Sequence, residues 1–270
     1  MAPRMKSILS RRQFLLLGAP ILLAGRQVGA AGVSRSQGTY RVDVGVLYGI
    51  LSLSLTGVVV EEIDWSAGRY RVRLEGKGVG MAHRTEAEGI IRGGRFLPLE
   101  SRMQQTVRGR DSTVLITYDH ARGQVEYHSV GYTLLMGRRR QVDDVVQVPP
   151  GQPVDDLPSA HLNFVANKLE TDSDGSYRAF IVRRAWRDNE GPDDVSPSGY
   201  RAMLAPVRFL VAPDPVSGRL RGQLDMTSLS SWARPGEPAR VTFDAARHLE
   251  SVHSSLILGT TVTVQFASGT

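Results

Sequence analysis

At 270 residues, with 41% hydrophobic and 22% charged side chains, the chain has a globular composition, not that of a disordered or membrane-spanning protein. Most of its net charge of +6 sits at the N-terminus. Arg4, Lys6, Arg11, Arg12 and Arg26 occur there without an acid, and removing these five from 33 basic residues leaves 28 against 27 acidic. That balance excludes a strong pull towards nucleic acid. The absence of cysteine excludes disulfides, thiolate nucleophiles, iron–sulfur ligation and a lipid-modified N-terminal cysteine.

Residues 1–30 read as an export signal. Arg4 to Arg12 form a positive region, Phe14 to Gly25 an apolar stretch, and Val28-Gly29-Ala30 a small-residue cleavage site. The apolar stretch is shorter than the ~20 residues a membrane-spanning helix needs, so no transmembrane anchor is expected after cleavage. Ser10-Arg11-Arg12-Gln13-Phe14-Leu15-Leu16 resembles the twin-arginine signal Ser-Arg-Arg-x-Phe-Leu-Lys, with Leu16 at the usual lysine. Arg11, Arg12 and Phe14 carry that motif, and Val28 and Ala30 would be read by signal peptidase. Gly18, Ala19 and Pro20 keep the apolar stretch mild and Arg26 adds a charge before the cleavage site, which disfavours the general secretory route. The expectation is a periplasmic protein that folds first and leaves through the twin-arginine translocase.

Residues 31–39 are Gly/Ser-rich and read as a linker, and 40–268 as a single β-rich domain. In Tyr40–Tyr48, Val42, Val44 and Val46 alternate with Arg41, Asp43 and Gly45, as a half-buried strand requires. Leu51-Leu53-Leu55, Tyr70-Val72-Leu74 and Val262-Val264-Phe266 alternate with polar residues in the same way. One wet and one dry face mark an antiparallel sheet. Turn chemistry separates the runs, at Ser66-Ala67-Gly68, Arg92-Gly93-Gly94, Arg122-Gly123, Asp172-Ser173-Asp174-Gly175 and Ser217-Gly218. Leu162, Val165 and Leu169 follow helical spacing after Ser159, which predicts one short helix near 159–169 capped by Ser159. The fold class is mainly β: a curved antiparallel sheet or partial β-barrel with one short helix over part of its concave side.

The chemistry-bearing residues give no catalytic, cofactor-binding or metal-binding assignment. The six histidines form no HExxH or HxH pair. There is no Gly-x-Ser-x-Gly elbow and no phosphate loop, and Gly76, Gly78 and Gly80 lead into no helical pattern. Asp172-Ser173-Asp174-Gly175 lacks the distal glutamate of a calcium loop and reads as a hairpin turn. The doublets Asp143-Asp144, Asp155-Asp156 and Asp193-Asp194 read as solvated turns, and Arg138-Arg139-Arg140 as a solvated loop. His128 and Glu126 share a strand face opposite Tyr127 and are expected in solvent. One pattern is distinctive: the face carrying Tyr70, Val72 and Leu74 continues into Gly76, Gly78 and Gly80. Bulk gives way there to empty positions, which either allow curvature and close packing or leave a groove for an apolar ligand.

Several of these runs occur together in a known family. Tyr40-Arg-Val42, Gly68-Arg-Tyr70-Arg-Val72, Glu88-Gly89-Ile90-Ile91, Gly94-Arg-Phe96-Leu-Pro98-Leu, Val114-Leu-Ile-Thr-Tyr118-Asp119 and Gly123-Gln-Val125 resemble, in that order, the exported bacterial proteins grouped as domain of unknown function 3108. Arg240-Val-Thr-Phe243-Asp244 and Gly259-Thr-Thr-Val262-Thr-Val264 resemble their C-terminal strands. The resemblance implies a periplasmic, strongly curved antiparallel sheet with no established activity, and it carries no catalytic residue across. The function expected is non-catalytic binding of an apolar or amphipathic envelope component, a lipid or an envelope protein. The rival is a hydrolase of envelope glycan or lipid, which would need groups such as His83, Glu88 or Glu100 to converge on one pocket.

Overall fold

The computed structural model describes residues 32–46, 51–79, 81–107, 109–133, 137–186, 190, 194–196, 199–231 and 233–268. Arg11, Arg12, Phe14, Val28 and Ala30, which the sequence reads as an export signal, and also Gly80, lie outside them. A first arm of strands comprises β1 (Val33–Val46), β2 (Leu51–Asp64), β3 (Arg69–Gly78), β4 (Met81–Arg92), β5 (Arg95–Val107), β6 (Arg110–Asp119), β7 (Gln124–Tyr132) and β8 (Arg139–Gln147). Helix α1 (Leu157–Val165) follows. The second arm is β9 (Glu170–Thr171), β10 (Tyr177–Arg184), β11 (Ala202–Pro213), β12 (Leu220–Leu224), β13 (Ala239–Phe243), β14 (Leu249–Leu256) and β15 (Thr260–Ser268).

Within each arm, chain neighbours pair antiparallel, and β15 returns to pair with β1. The sheet order is therefore β8 back to β1, then β15 back to β9. Since α1 connects β8 to β9, the two ends of the sheet, its segment has to cross between them. The alternation in the sequence sets which face turns inward. Tyr40, Val42 and Val44 are buried, while Arg41 and Asp43 pair outside at 2.8 Å. On β3, Tyr70, Val72 and Leu74 are buried, and Arg71 and Arg73 reach Glu86 from the outer face.

A sheet this wide twists and coils. Its ends meet face to face rather than edge to edge. Val182, Ala202 and Leu204 of β10 and β11 pack on Tyr118, Val125, Tyr127 and Val142 of β6, β7 and β8. Asp144 of β8 accepts the Ala202 N–H at 2.9 Å and pairs with Arg201 at 3.2 Å. No ladder joins β8 to β9, so the sheet overlaps itself instead of closing into a barrel. Asp143 and Asp144 are thus strand residues on β8, not turn residues.

Helix α1 begins two residues before the predicted start. Asp156 is the N-cap: its Oδ1 accepts the Ser159 N–H at 2.6 Å, and Ser159 Oγ accepts the Asp156 N–H at 2.9 Å. Ser159 is the N3 member of a capping box, not the cap. The helix ends at Val165, and the chain turns away through Asn167 at φ 55°. Its inward residue Phe164 packs with ring centroids 5.1–5.3 Å from Tyr177, Phe209 and Phe243. Each such aromatic contact adds ~0.5–1.5 kcal/mol to area burial, which anchors α1 to the second arm.

Candidate functional site: an interior cavity between the overlapping ends

The space left between the inward face of β4–β8 and the second arm is a cavity of about 290 Å³. That lies at the lower end of the ~300–1,000 Å³ typical of small-molecule sites. Its position follows from the crossover. The segment carrying α1 props the two ends of the sheet apart, and a set of polar contacts fixes how far.

The prop is built on Asn163, fully buried on α1. Its Nδ2 donates to the Phe96 carbonyl at 2.8 Å and its Oδ1 accepts the Phe96 N–H at 2.8 Å, which docks the helix on β5. Nδ2 also donates to Asp155 Oδ1 at 2.8 Å. Asp155 is 0% exposed, receives Arg95 Nη2 at 2.7 Å, and donates its own N–H to Phe180 of β10 at 2.7 Å. Desolvation raises the Asp155 carboxyl to about 7, against the downward pull of Arg95 and Asn163. Asp156, 4% exposed, is raised to about 6 by burial and held down mainly by the Ser159 N–H. The doublet Asp155-Asp156, expected as a solvated turn, is therefore a buried bracket; the helix cap and Arg95 make that burial tolerable.

Asp156 also forms part of the cavity wall, where its Oδ2 accepts no hydrogen bond of normal geometry. Beside it, Tyr118 is buried, and the carboxylates Asp156 and Asp155 reinforce desolvation in raising its hydroxyl well above the ordinary range. Most of the wall is apolar or small: Met103, Val114, Ile116, Ile181, Ser112 and Ser129. Tyr127 completes this side, its hydroxyl likewise raised by burial.

At the far ends of β8 and β10 the lining turns cationic. Arg140, 8% exposed, pairs with Glu190 at 3.3 Å and donates through Nε to the Asp194 carbonyl at 2.9 Å. Arg184 pairs with the same Glu190 at 2.8 Å. Arg183 lies with its guanidinium carbon 3.6 Å from the Trp186 ring centroid and donates to the Arg184 carbonyl at 2.7 Å. Desolvation and the neighbouring Arg184 lower its pKa to about 10, so it stays cationic at neutral pH. The basic run Arg138-Arg139-Arg140 is accordingly not wholly a solvated loop: Arg139 and Arg140 open β8, and Arg140 is buried.

The residues singled out by sequence fall elsewhere. Tyr70, Val72, Leu74 and Gly76 do turn inward, but the room at the glycines is taken. A Cβ at Gly76 would meet the Tyr40 hydroxyl at 2.5 Å and Leu55 at 2.7 Å, and one at Gly78 would meet the Ser54 carbonyl at 2.2 Å. On the inward face Gly76 and Gly78 accommodate close packing, while Gly76, with Gly57, Tyr40 and Phe266, also lines a separate, open pocket of about 890 Å³. His83, Glu88 and Glu100 do not converge. His83 is buried beside Thr85 at 2.9 Å and lowered to about 4 by desolvation, whereas Glu88 and Glu100 are cross-strand partners on the outer face. His128 is exposed and pairs with Asp143 at 2.9 Å. Among the described residues, no group of three His, Asp or Glu side chains is placed to hold a metal ion.

Sequence reasoning missed Asp156, Arg183 and Trp186. A signal was present for the strand that carries Arg183. The unbroken apolar run Ala179–Val182 marks a strand covered on both faces, and Arg183 continues the parity of Ala179 and Ile181. No protein-family model matches the chain, and no curated protein matches it. Among solved structures, the chain is similar to a β-barrel-like protein of domain of unknown function DUF1849 from Brucella abortus. The two share 10% identity over 90% of this chain and 100% of that one, with a TM-score of 0.39.

Proposed function

We propose that the protein is an exported, non-catalytic binder that takes an apolar or amphipathic envelope molecule into the cavity between its overlapping sheet ends. The observation that carries this reading is the cavity of about 290 Å³, whose exposed wall is mainly apolar and whose polar groups are Asp156, Gln105, three arginines and a set of Ser, Thr and Tyr hydroxyls. A few placed polar groups in an apolar concavity orient a ligand without supplying a reaction. Both Asp155 oxygens are engaged by Arg95, and one Asp156 oxygen by the helix cap. These groups hold the structure together and favour binding over hydrolysis.

The address belongs to the same reading. The Arg11-Arg12 motif would deliver the folded domain to the periplasm, in keeping with the resemblance of 40–130 and 238–268 to the domain of unknown function 3108 proteins. Replacing Arg11 and Arg12 together by lysine should leave a full-length, uncleaved chain in the cytoplasm; a cleaved periplasmic product would remove this part of the proposal. For binding, native mass spectrometry of protein purified from its own periplasm should show an adduct that lipid extraction identifies. A bare mass, together with no uptake of cis-parinaric acid or its methyl ester in solution, would overturn the binding role.

A further inference from the structure

The charges on the cavity wall are unequal in number and in how they are used. Among the described residues, three guanidinium groups line it, Arg140, Arg183 and Arg184, against one carboxylate, Asp156. Arg140 and Arg184 share Glu190, whose side chain is 2% exposed. Asp156 is tied by one oxygen to the start of α1. Arg183 differs from all of these: it faces no carboxylate among the described residues. Among the described residues it donates to one backbone carbonyl, stacks on the Trp186 ring and lies near Tyr127, and its Nε is buried without an acceptor. A guanidinium stacked on an indole keeps its donor edge free for a carboxylate or phosphate, in the geometry for which arginine is suited. A buried donor without an acceptor is costly, and an arriving anion would relieve that cost.

Position along the strand adds a direction. Arg183 shares a face of β10 with Ala179 and Ile181, and Ile181 forms the bridge to Asp155. Arg183 lies two positions along the strand from Ile181, about 7 Å at ~3.3 Å per residue. The cationic position therefore lies towards one end of the wall, with apolar lining running back from it to Ile181, Met103 and Ile116. A volume at the low end of the usual range suits one acyl chain better than two.

Resting on the cavity-binding reading above, we infer that the occupant is a single-chain anionic amphiphile, its acidic head on Arg183 beside Trp186 and its chain along the apolar wall. The shared chemistry is a carboxylate or phosphate monoester on a hydrocarbon tail.

The test compares two probes that differ only in charge, cis-parinaric acid and its methyl ester, titrated by fluorescence below their micelle concentrations into the exported protein. The acid should bind about tenfold to a hundredfold more tightly than the ester, the range expected for a charge-assisted hydrogen bond. Arg183→Gln should abolish the preference for acid over ester, while Arg183→Lys should restore part of it as a point charge. Dodecyl phosphate should then displace the acid if phosphate monoesters share the site; failure to displace restricts the head to carboxylate. Equal binding of acid and ester by the unaltered protein would overturn the anion assignment and leave the cavity reading standing. A preference that survives Arg183→Gln would overturn the role of Arg183. Binding of neither probe would overturn this inference, and with a bare native mass it would remove the cavity reading as well. The wild-type acid–ester comparison needs no variant, so a poorly folding substitution cannot shield the proposal.

Discussion

Gly57 and Gly131 both lie in the sheet without positive φ, yet a methyl group added to each would meet opposite surroundings. At Gly57 it would sit 2.4 Å from the Glu75 carbonyl and 2.5 Å from the Tyr40 ring. At Gly131 the nearest atom would be Ser112 Oγ at 3.7 Å, an ordinary contact. Gly57 pairs across the ladder with Tyr40 on one side and Gly76 on the other. The Tyr40 ring lies over both glycines and fills their positions, an aromatic covering of the kind that stabilises glycine in sheets. Around Gly131, Ser112 on one side is too small to reach across and Arg140 on the other is drawn to Glu190 and the Asp194 carbonyl, so the cavity remains. The same residue type thus marks close packing under the Tyr40 ring in the first strands and open space on the inward face near the ends. What decides between them is whether the side chain on the adjoining strand lies over the glycine, as Tyr40 does, or is held elsewhere, as Arg140 is by Glu190.

The division between the full and empty sides depends on the helix, and the helix on Arg95. The largest predicted effect comes from Arg95→Met, which leaves Asp155 buried with only Asn163 to hold it. Stranding one partner of a buried pair costs ~3–5 kcal/mol, read as a fall in the urea midpoint. Adding Asp155→Asn should recover part of the loss, and no recovery would mean that Arg95 acts through packing alone. Next comes Gly57→Ala. Its methyl group collides with backbone on one side and the Tyr40 ring on the other, for an overpacking cost of ~1–3 kcal/mol. A neutral outcome there would erase the contrast with Gly131.

The fold was largely legible because a period-2 pattern states which face of each strand is dry. Arg41 and Asp43 outside, with Val42 and Val44 inside, could be read directly, and so could the need for a curved sheet. The site was not legible, for two physical reasons. Alternation reports orientation but not fill, so Gly76 read like open space until Tyr40, more than thirty positions away, was placed over it. Burial of a polar doublet also depends on distant partners. Asp155-Asp156 has the composition of a turn, and only Arg95, sixty residues earlier, makes its burial possible. The helix start was misplaced by the same kind of ambiguity, since both members of a capping box are cap-forming residue types.

Asp156 gives a measure of how dry the empty side is. Its folded pKa of about 6 lies above the unfolded value of ~3.9. Between these the native state holds more protons than the unfolded chain, so this contribution to stability falls as pH rises from about 4 to about 6 and is level above. The two-unit shift corresponds to something on the order of 2–3 kcal/mol. Asp155, raised to about 7, adds a decline in the same sense that extends about one unit higher. Asp156→Asn keeps a good N-cap but cannot ionise. Burial of His83, lowered to about 4, adds stability as pH rises, so the test is the difference between the two proteins. Over pH 4 to 8 the denaturation midpoints of Asp156→Asn should decline less than those of the unaltered protein, by the equivalent of about 2–3 kcal/mol. An unchanged decline would mean that water already reaches the carboxylate, and the cavity would then be wet.

The smallest expected effect on stability tests the comparison most directly. Gly131→Leu puts a large side chain where a Cβ has ordinary room and the cavity lies beside it. Gly131 pairs with Arg140 on β8 through backbone, and leucine preserves that ladder while improving strand propensity over glycine. Filling an existing void adds contacts that a packed core would refuse. Thermal unfolding should therefore shift by no more than the equivalent of about 1 kcal/mol in either direction, while uptake of cis-parinaric methyl ester should fall at least tenfold. Stability lost without a change in uptake would place the void elsewhere, whereas both retained would mean that the side chain turns out of the cavity. Paired with the damage expected from a single methyl at Gly57, a tolerated leucine at Gly131 would show that the two ends of this sheet are held apart around a space the fold does not need to fill.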